Sequence, residues 1–143
     1  RTRISMNIVL DTNILISALI KNSATRKIII YSGLNFFYPE ISFKEIIKHK
    51  EYILDKSGYS EKEFLIIINK LLEYINLISF ELIRSKLKEA KEIMGKIGIN
   101  DILFVASALA LDGNIWSEDK DFERQNNIKI IKTIDLIKQF EKL

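Results

Sequence analysis

The chain has no cysteine and a single histidine, His49, in 143 residues. Cysteine nucleophiles, thiolate metal sites, multi-histidine zinc centres and the usual catalytic triads are excluded by that scarcity. One proline, Pro39, and five glycines leave nothing that reads as a linker, a repeat or a low-complexity segment. No uninterrupted apolar stretch reaches the roughly 20 residues that a membrane-spanning helix needs. No charged-then-apolar signal segment opens the chain, so no membrane role is expected. The side chains left for chemistry are carboxylates, and carboxylates work best with a hard divalent cation.

The length is that of one ordinary domain with room for a proper core. Arg1 to Ser5 read as an expression remnant ahead of a native start at Met6, leaving one domain over residues 6–143. Apolar residues make up 48% of the chain and charged ones 29%, a globular balance dominated by isoleucine and leucine. The net charge is +3. If several carboxylates gather in one place, the remaining surface is more basic than that total. Such a split suits a polyanion held by lysines, although a merely solvated lysine surface accounts for the charge equally well. A lysine-rich chain without cysteine is compatible with a cytoplasmic location.

Ile8-Val9-Leu10 reads as a buried strand, and Thr12 to Ile20 has apolar residues at helical spacing. A second helix is expected from Ala24 to Ser32, stopped by Gly33, followed by a strand at Phe36-Phe37-Tyr38 that Pro39 closes. Ser42 is placed to cap a helix that carries Glu45 in its first turn and runs to Gly58. Ser60 and Glu63 form a capping box. The helix after it, Phe64 to Ile75, is apolar on more than one face, as for burial on two sides or a surface shared with a second copy. A third strand is expected at Leu77 to Phe80 and a helix from Leu82 to Met94, ended by Gly95 and Gly98. Asn100 is placed to cap a helix over Asp101 to Leu111, whose Ala106, Ser107 and Ala108 permit close approach to a sheet. Asn114-Ile115-Trp116 and Lys129-Ile130-Ile131 complete the strands, and Thr133 is placed to cap a last helix to Phe140. Strands separated by helices pair in parallel and are covered on both faces. The expected fold is a three-layer α/β/α sandwich around four or five parallel strands.

In such open sheets, function collects beyond the carboxyl ends of the strands. Asp11 follows the first strand and Asp119 the fourth, while Glu45 and Asp101 stand at helix N-termini that begin on that side. Singly, each is most simply a helix-start residue favoured by the dipole. Four together repel strongly unless cations lie between them. All-oxygen ligands suit Mg²⁺ or Mn²⁺, and two such ions about 4 Å apart activate water and stabilise an in-line displacement at phosphorus.

These blocks resemble a PIN domain, the nuclease fold of VapC-type toxins and of several RNA-processing enzymes. Val9-Leu10-Asp11-Thr12-Asn13 resembles the opening motif, and Pro39-Glu40 with Glu45 the second block. Asn100-Asp101 followed by Val105 to Ala110 resembles the third, and Ser117-Glu118-Asp119-Lys120-Asp121-Phe122 the closing one. The resemblance covers essentially the whole chain from Met6. It implies an endoribonuclease with Asp11, Glu45, Asp101 and Asp119 as catalytic ligands of Mg²⁺ or Mn²⁺. Asp121 is an alternative or additional ligand, Glu40 lies close to Glu45, and Asn13 and Ser117 take supporting polar roles. It further implies single-stranded RNA as substrate, an antitoxin partner that covers the acidic cleft, and a homodimer. An RNA-processing nuclease outside a toxin system, or a scaffold without activity, are the alternatives.

Lys44, Lys48, His49 and Lys50 cluster beside Glu45, where Lys44 and Lys48 could meet phosphates; a solvated helix face is as simple a reading. Trp116 reads as core, and Asp112 and Asp135 as surface residues near helix ends. A haloacid-dehalogenase-type phosphatase needs a second aspartate where Asn13 stands. A receiver domain needs an aspartate where Glu81 follows the third strand. Neither fits.

Overall fold

The computed structural model describes residues 6–95 and 98–140. Five strands, β1 (Asn7–Leu10), β2 (Asn35–Pro39), β3 (Ile75–Ile78), β4 (Asn114–Trp116) and β5 (Ile130–Ile131), form one parallel sheet in the order β3-β2-β1-β4-β5. Parallel pairing demands long crossovers, and helices supply them. Between β1 and β2 lie α1 (Thr12–Ile20) and α2 (Ala24–Tyr31). Between β2 and β3 lie α3 (Phe43–Lys48), α4 (Lys50–Ser57) and α5 (Glu61–Leu72). Between β3 and β4 lie α6 (Phe80–Arg84), α7 (Leu87–Met94) and α8 (Ile99–Leu111), and α9 (Thr133–Phe140) follows β5.

Ile8, Val9 and Leu10 are fully buried, so the central strand is covered on both faces. Complete burial of such side chains stabilises the fold by about 1.5–3 kcal/mol each. On one side α8 lies against β1, β2 and β4, with α6 and α7 packed on it; α1 meets α2, α4 and α5. Ala106, Ser107 and Ala108 are buried as their size allows, and the Ser107 hydroxyl is satisfied by the Leu103 carbonyl at 2.8 Å. Trp116 is fully buried against Phe36 and donates its indole N–H to Thr133 Oγ1 at 2.9 Å. The result is the three-layer α/β/α sandwich that the apolar runs imply. No single described helix is long and apolar enough to cross a membrane.

The end of α8 fixes where β4 begins. Asp112 adopts the left-handed conformation at φ 50°, and the amides of Asp112 and Gly113 return to the carbonyls of Leu109 and Ala108. A Cβ on Gly113 would stand 2.7 Å from the Asn7 carbonyl oxygen, so only glycine lets the chain pass β1 here.

Several elements differ from the sequence expectation. The helix expected from Ser42 to Gly58 is two helices broken at His49. There the ring Nδ1 and the backbone N–H both turn to the Glu45 carbonyl, at 2.8 and 3.1 Å. Ser42 does not cap: it closes a 3₁₀ turn, Glu40–Ser42, and its hydroxyl is buried without a hydrogen-bond partner among the described residues. Ile75 opens β3 instead of ending α5, because it pairs with Phe36 and buries its side chain. The Leu82 to Met94 segment is split at Ser85 and Lys86 into α6 and α7. Asn100 lies inside the first turn of α8, with its amide engaged elsewhere, and Gly98 precedes the helix. Thr133 is the first residue of α9 and its hydroxyl accepts from Trp116; Asp135 instead accepts from the Lys132 amide at 3.1 Å. Helix α5 buries one face only, leaving Leu65 and Ile66 each 57% exposed. The capping box at Ser60 and Glu63 is present in both directions.

A candidate metal centre at the carboxyl edge of the sheet

Strand order reverses between β1 and β4, which is where open α/β sheets leave a crevice. Register pairs Leu10 with Trp116, so the next residues, Asp11 and Ser117, emerge side by side. Ser117 donates its hydroxyl to Asp11 Oδ2. Ser117 Oγ in turn accepts from the Asp119 amide at 2.9 Å, and Asp119 Oδ1 accepts from the Asp121 amide at 2.9 Å. One hydroxyl thus ties the end of β1 to the loop after β4. Asp11 is 4% exposed, and its Oδ1 caps α1 through the Ile14 amide at 2.9 Å. Burial pushes its carboxyl upward, with Asp119 adding to the effect, while bonds from Ser117, Ile14 and the Asn13 backbone oppose it.

Asp101 enters from the first turn of α8 and is half-buried. Each of Asp101, Asp119 and Asp121 offers a carboxylate oxygen within 4.8 Å of the others. Burial, then the charges of Asp119, Asp121, Asp11 and Glu45, push the Asp101 carboxyl up to about 6. The sequence offered Asp119 and Asp121 as alternatives; the turn beginning at Asp119 brings both to Asp101. Among the described residues, the cation paired with this trio is Arg124, 3.9 Å from Asp121 and well exposed.

Glu45 and Asp11 stand outside that trio yet close enough for their charges to be felt at Asp101. Glu45 is held from two elements: Oε1 accepts from Thr12 at 3.1 Å and Oε2 from the Asn100 side chain at 2.8 Å. Thr12 also meets the Tyr38 hydroxyl at 2.8 Å, and Tyr38 donates to the Ser42 carbonyl at 3.0 Å. Burial and then the charges of Glu45 and Asp11 raise the Tyr38 phenol well above its ordinary value, so it stays neutral.

Asn13 is exposed at the start of α1, and its side chain makes no hydrogen bond among the described residues. Lys44 and Lys48 are exposed on α3, and Glu40 is exposed in the preceding 3₁₀ turn. Sequence reading passed over Thr12 and Asn100 as holders of Glu45. The signal available for both was adjacency, since each neighbours an aspartate singled out for chemistry.

The carboxylates make an all-oxygen, negatively charged set that burial and mutual repulsion leave under-neutralised, the donor type that Mg²⁺ or Mn²⁺ takes.

Comparison with known proteins agrees with this architecture. A family model described as PIN domain matches residues 9–135. No curated protein matches the chain. Among solved structures, the chain is similar to VapBC2 from Rickettsia felis, described as bound to a DNA fragment from its promoter. The TM-score there is 0.67 at 19% identity, covering 89% of this chain and 98% of that one. VapBC-1 from nontypeable Haemophilus influenzae gives 0.64 at 24% identity, covering 90% and 99%. A toxin–antitoxin complex from Klebsiella pneumoniae gives 0.62 at 15%, covering 88% and 97%. At these identities the structural likeness speaks for the fold, and the matched family model speaks for descent: the chain belongs to the PIN domain family.

Proposed function

We propose that this domain is a metal-dependent endoribonuclease that hydrolyses phosphodiester bonds of single-stranded RNA, serving as the toxin of a type II toxin–antitoxin pair. The observation that carries the reading is the convergence of Asp101, Asp119 and Asp121 beside Asp11 and Glu45, with Asp101 pushed up to about 6 by burial and by the charges of the other four. A structural cluster of carboxylates would be expected to carry its own cations, and among the described residues Arg124 is the one that pairs with this cluster.

Asp11, Glu45, Asp101, Asp119 and Asp121 are the residues that would hold Mg²⁺ or Mn²⁺. When bound, such an ion supplies Lewis-acid stabilisation at phosphorus and a water acidic enough to attack near neutral pH. The chain's own contribution is orientation. Ser117 fixes one Asp11 oxygen while the Ile14 amide fixes the other. Thr12 and Asn100 hold both oxygens of Glu45, so that carboxylate cannot swing away. Asn13, exposed beside Asp11, is free to orient water or a phosphate. His49 is not needed as a base, since a bound ion would itself supply the activated water. Lys44 and Lys48 on α3 would add phosphate contacts.

The likeness to VapBC and other toxin–antitoxin complexes supports a toxin with an antitoxin partner; action on RNA in the cytoplasm belongs to the same proposal. The exposed Leu65 and Ile66 of α5 are the surface for a homodimer. The test is cleavage of a labelled single-stranded RNA in Mn²⁺, Mg²⁺ or EDTA, with Asp11→Asn and Asp101→Asn purified alongside. Metal-dependent cleavage lost in both variants supports the assignment. No cleavage together with no Mn²⁺-induced rise in melting temperature would favour a scaffold without activity.

A further inference from the structure

Two cavities open along α1 next to the acidic centre. One, of about 290 Å³, is lined by Asn13, Ser17, Thr25, Glu118, Asp119 and Thr133. The other, of about 430 Å³, shares Asn13 and Ser17 with it and reaches Lys21, His49 and Tyr52. The two share Asn13 and Ser17, so they adjoin along α1 as a grooved surface that leads from Asp119 to α4. Its far end combines three kinds of contact. Tyr52 is 51% exposed, and Lys56 one turn on places its ammonium 5.9 Å from the ring centroid. Lys21 is exposed and forms no ion pair among the described residues. His49 sits at the break between α3 and α4 with Nδ1 bonded to the Glu45 carbonyl, which leaves Nε2 as the ring's uncommitted nitrogen. Ile16 and Ile20 supply apolar lining between them.

An exposed aromatic ring and lysines along an open groove are the combination that holds single-stranded nucleic acid: bases stack and phosphates meet positive charge. A cavity of 430 Å³ also has room for a nucleotide. We infer that this groove is the track for RNA on one side of the scissile bond, with a base stacked on Tyr52 and its phosphates near Lys21 and His49. The inference rests on the nuclease reading above and adds a subsite to it. It also gives a reason for the helix break at His49, since a continuous helix would not present that ring beside Asn13.

The test compares wild type with Tyr52→Ala, Tyr52→Phe and Lys21→Gln. KM is measured for metal-dependent RNA cleavage, and Kd for the same RNA by fluorescence anisotropy in EDTA. Tyr52→Ala is expected to raise both by roughly 5- to 150-fold, the loss of one stacked base, with Tyr52→Phe restoring them to within about twofold. An RNA carrying abasic sites should bind wild type and Tyr52→Ala alike. Lys21→Gln should weaken binding and lower the salt slope by about one. Metal-dependent cleavage by wild type with unchanged KM and Kd in Tyr52→Ala would overturn the track and leave the nuclease reading standing. A wild type that neither cleaves nor binds RNA would overturn both.

Discussion

Replacing Asp101 by asparagine is expected to stabilise the protein in the absence of metal. Asp101 forms no hydrogen bond among the described residues, so the amide loses no partner. What it removes is a charge that burial and four other carboxylates oppose. The shift from 3.8 to about 6 corresponds to about 3 kcal/mol for a fully buried group, at 1.36 kcal/mol per unit. Asp101 is only half-buried, and solvent screening brings this to about 1 kcal/mol net of the lost charge–dipole attraction at the start of α8. For a chain of this length that is a rise in Tm of about 3 °C. The pH dependence has a definite sign. The folded state holds the Asp101 proton more tightly than the unfolded state, so stability falls as pH rises from about 4 to 6, and the full penalty is present above that window. The advantage of Asp101→Asn should therefore be largest at pH 7.5, smaller at pH 5 and gone near pH 4. Saturating Mn²⁺ should reverse the order, since ligand at a hundred times Kd adds about 2.7 kcal/mol to a protein that binds it. The assay is thermal melting of both proteins in EDTA and in Mn²⁺ at the three pH values. A variant less stable than wild type in EDTA at pH 7.5, or an advantage that does not shrink at pH 5, would refute the electrostatic account of the cluster.

Other consequences can be checked on the same preparations. Ser117→Ala removes the hydroxyl that joins Asp11 to the Asp119 amide, and should cost about 1–3 kcal/mol in a chemical-denaturation curve while weakening Mn²⁺ binding measured by calorimetry. Asn100→Ala frees one oxygen of Glu45 and should weaken Mn²⁺ affinity by about 10- to 100-fold, with the far-UV circular dichroism spectrum unchanged. Gly113→Ala forces a Cβ to within 2.7 Å of the Asn7 carbonyl and should destabilise by about 2 kcal/mol, read as a lowered denaturant midpoint with an unchanged m-value.

The elements that periodicity alone identified are those that bury a uniform face. Ile8-Val9-Leu10, Thr12 to Ile20 and Asn114 to Trp116 lie where the apolar runs put them, because each has one place to go in a three-layer core. The elements that were misplaced are those decided by a side chain's choice of partner. His49 breaks its helix by turning to the Glu45 carbonyl, Asn100 gives its amide to Glu45 instead of capping α8, and Thr133 accepts from Trp116. Each of those partners is distant in sequence or competes with a backbone bond, and no local pattern records it. The site was legible for a different reason. The acids sit at strand ends and helix starts, positions that topology alone brings to one edge. The sequence could not tell Asp119 from Asp121, since the turn beginning at Asp119 brings both to Asp101.

That edge also explains why the carboxylates cannot relax apart. Asp11 and Ser117 are adjacent because Leu10 pairs with Trp116, and that register is held by completely buried side chains on both strands. A slip of one residue would carry Leu10 and Trp116 to the opposite layer, against helices packed for other side chains, so the strands have no neighbouring arrangement to escape into. Asp101 is fixed likewise by α8, whose residues Ile102 to Ala108 are all buried. The repulsion among the acids is therefore carried by the core and cannot be relieved by side-chain movement at Asp11, both of whose oxygens are already bonded. Neutralisation is the remaining route, by protons at low pH or by a divalent cation at neutral pH. On the proposed metal reading, the packing that makes the sheet stable also holds the carboxylates ready for an ion, and loosening β1 should weaken metal binding before it unfolds the protein. Val9→Ala tests this directly. It should lower stability by about 2–4 kcal/mol and, under conditions where the protein remains folded, reduce Mn²⁺ affinity although Val9 lies two residues from the nearest ligand. Unchanged affinity in the folded variant would separate the site's geometry from the core and refute the coupling.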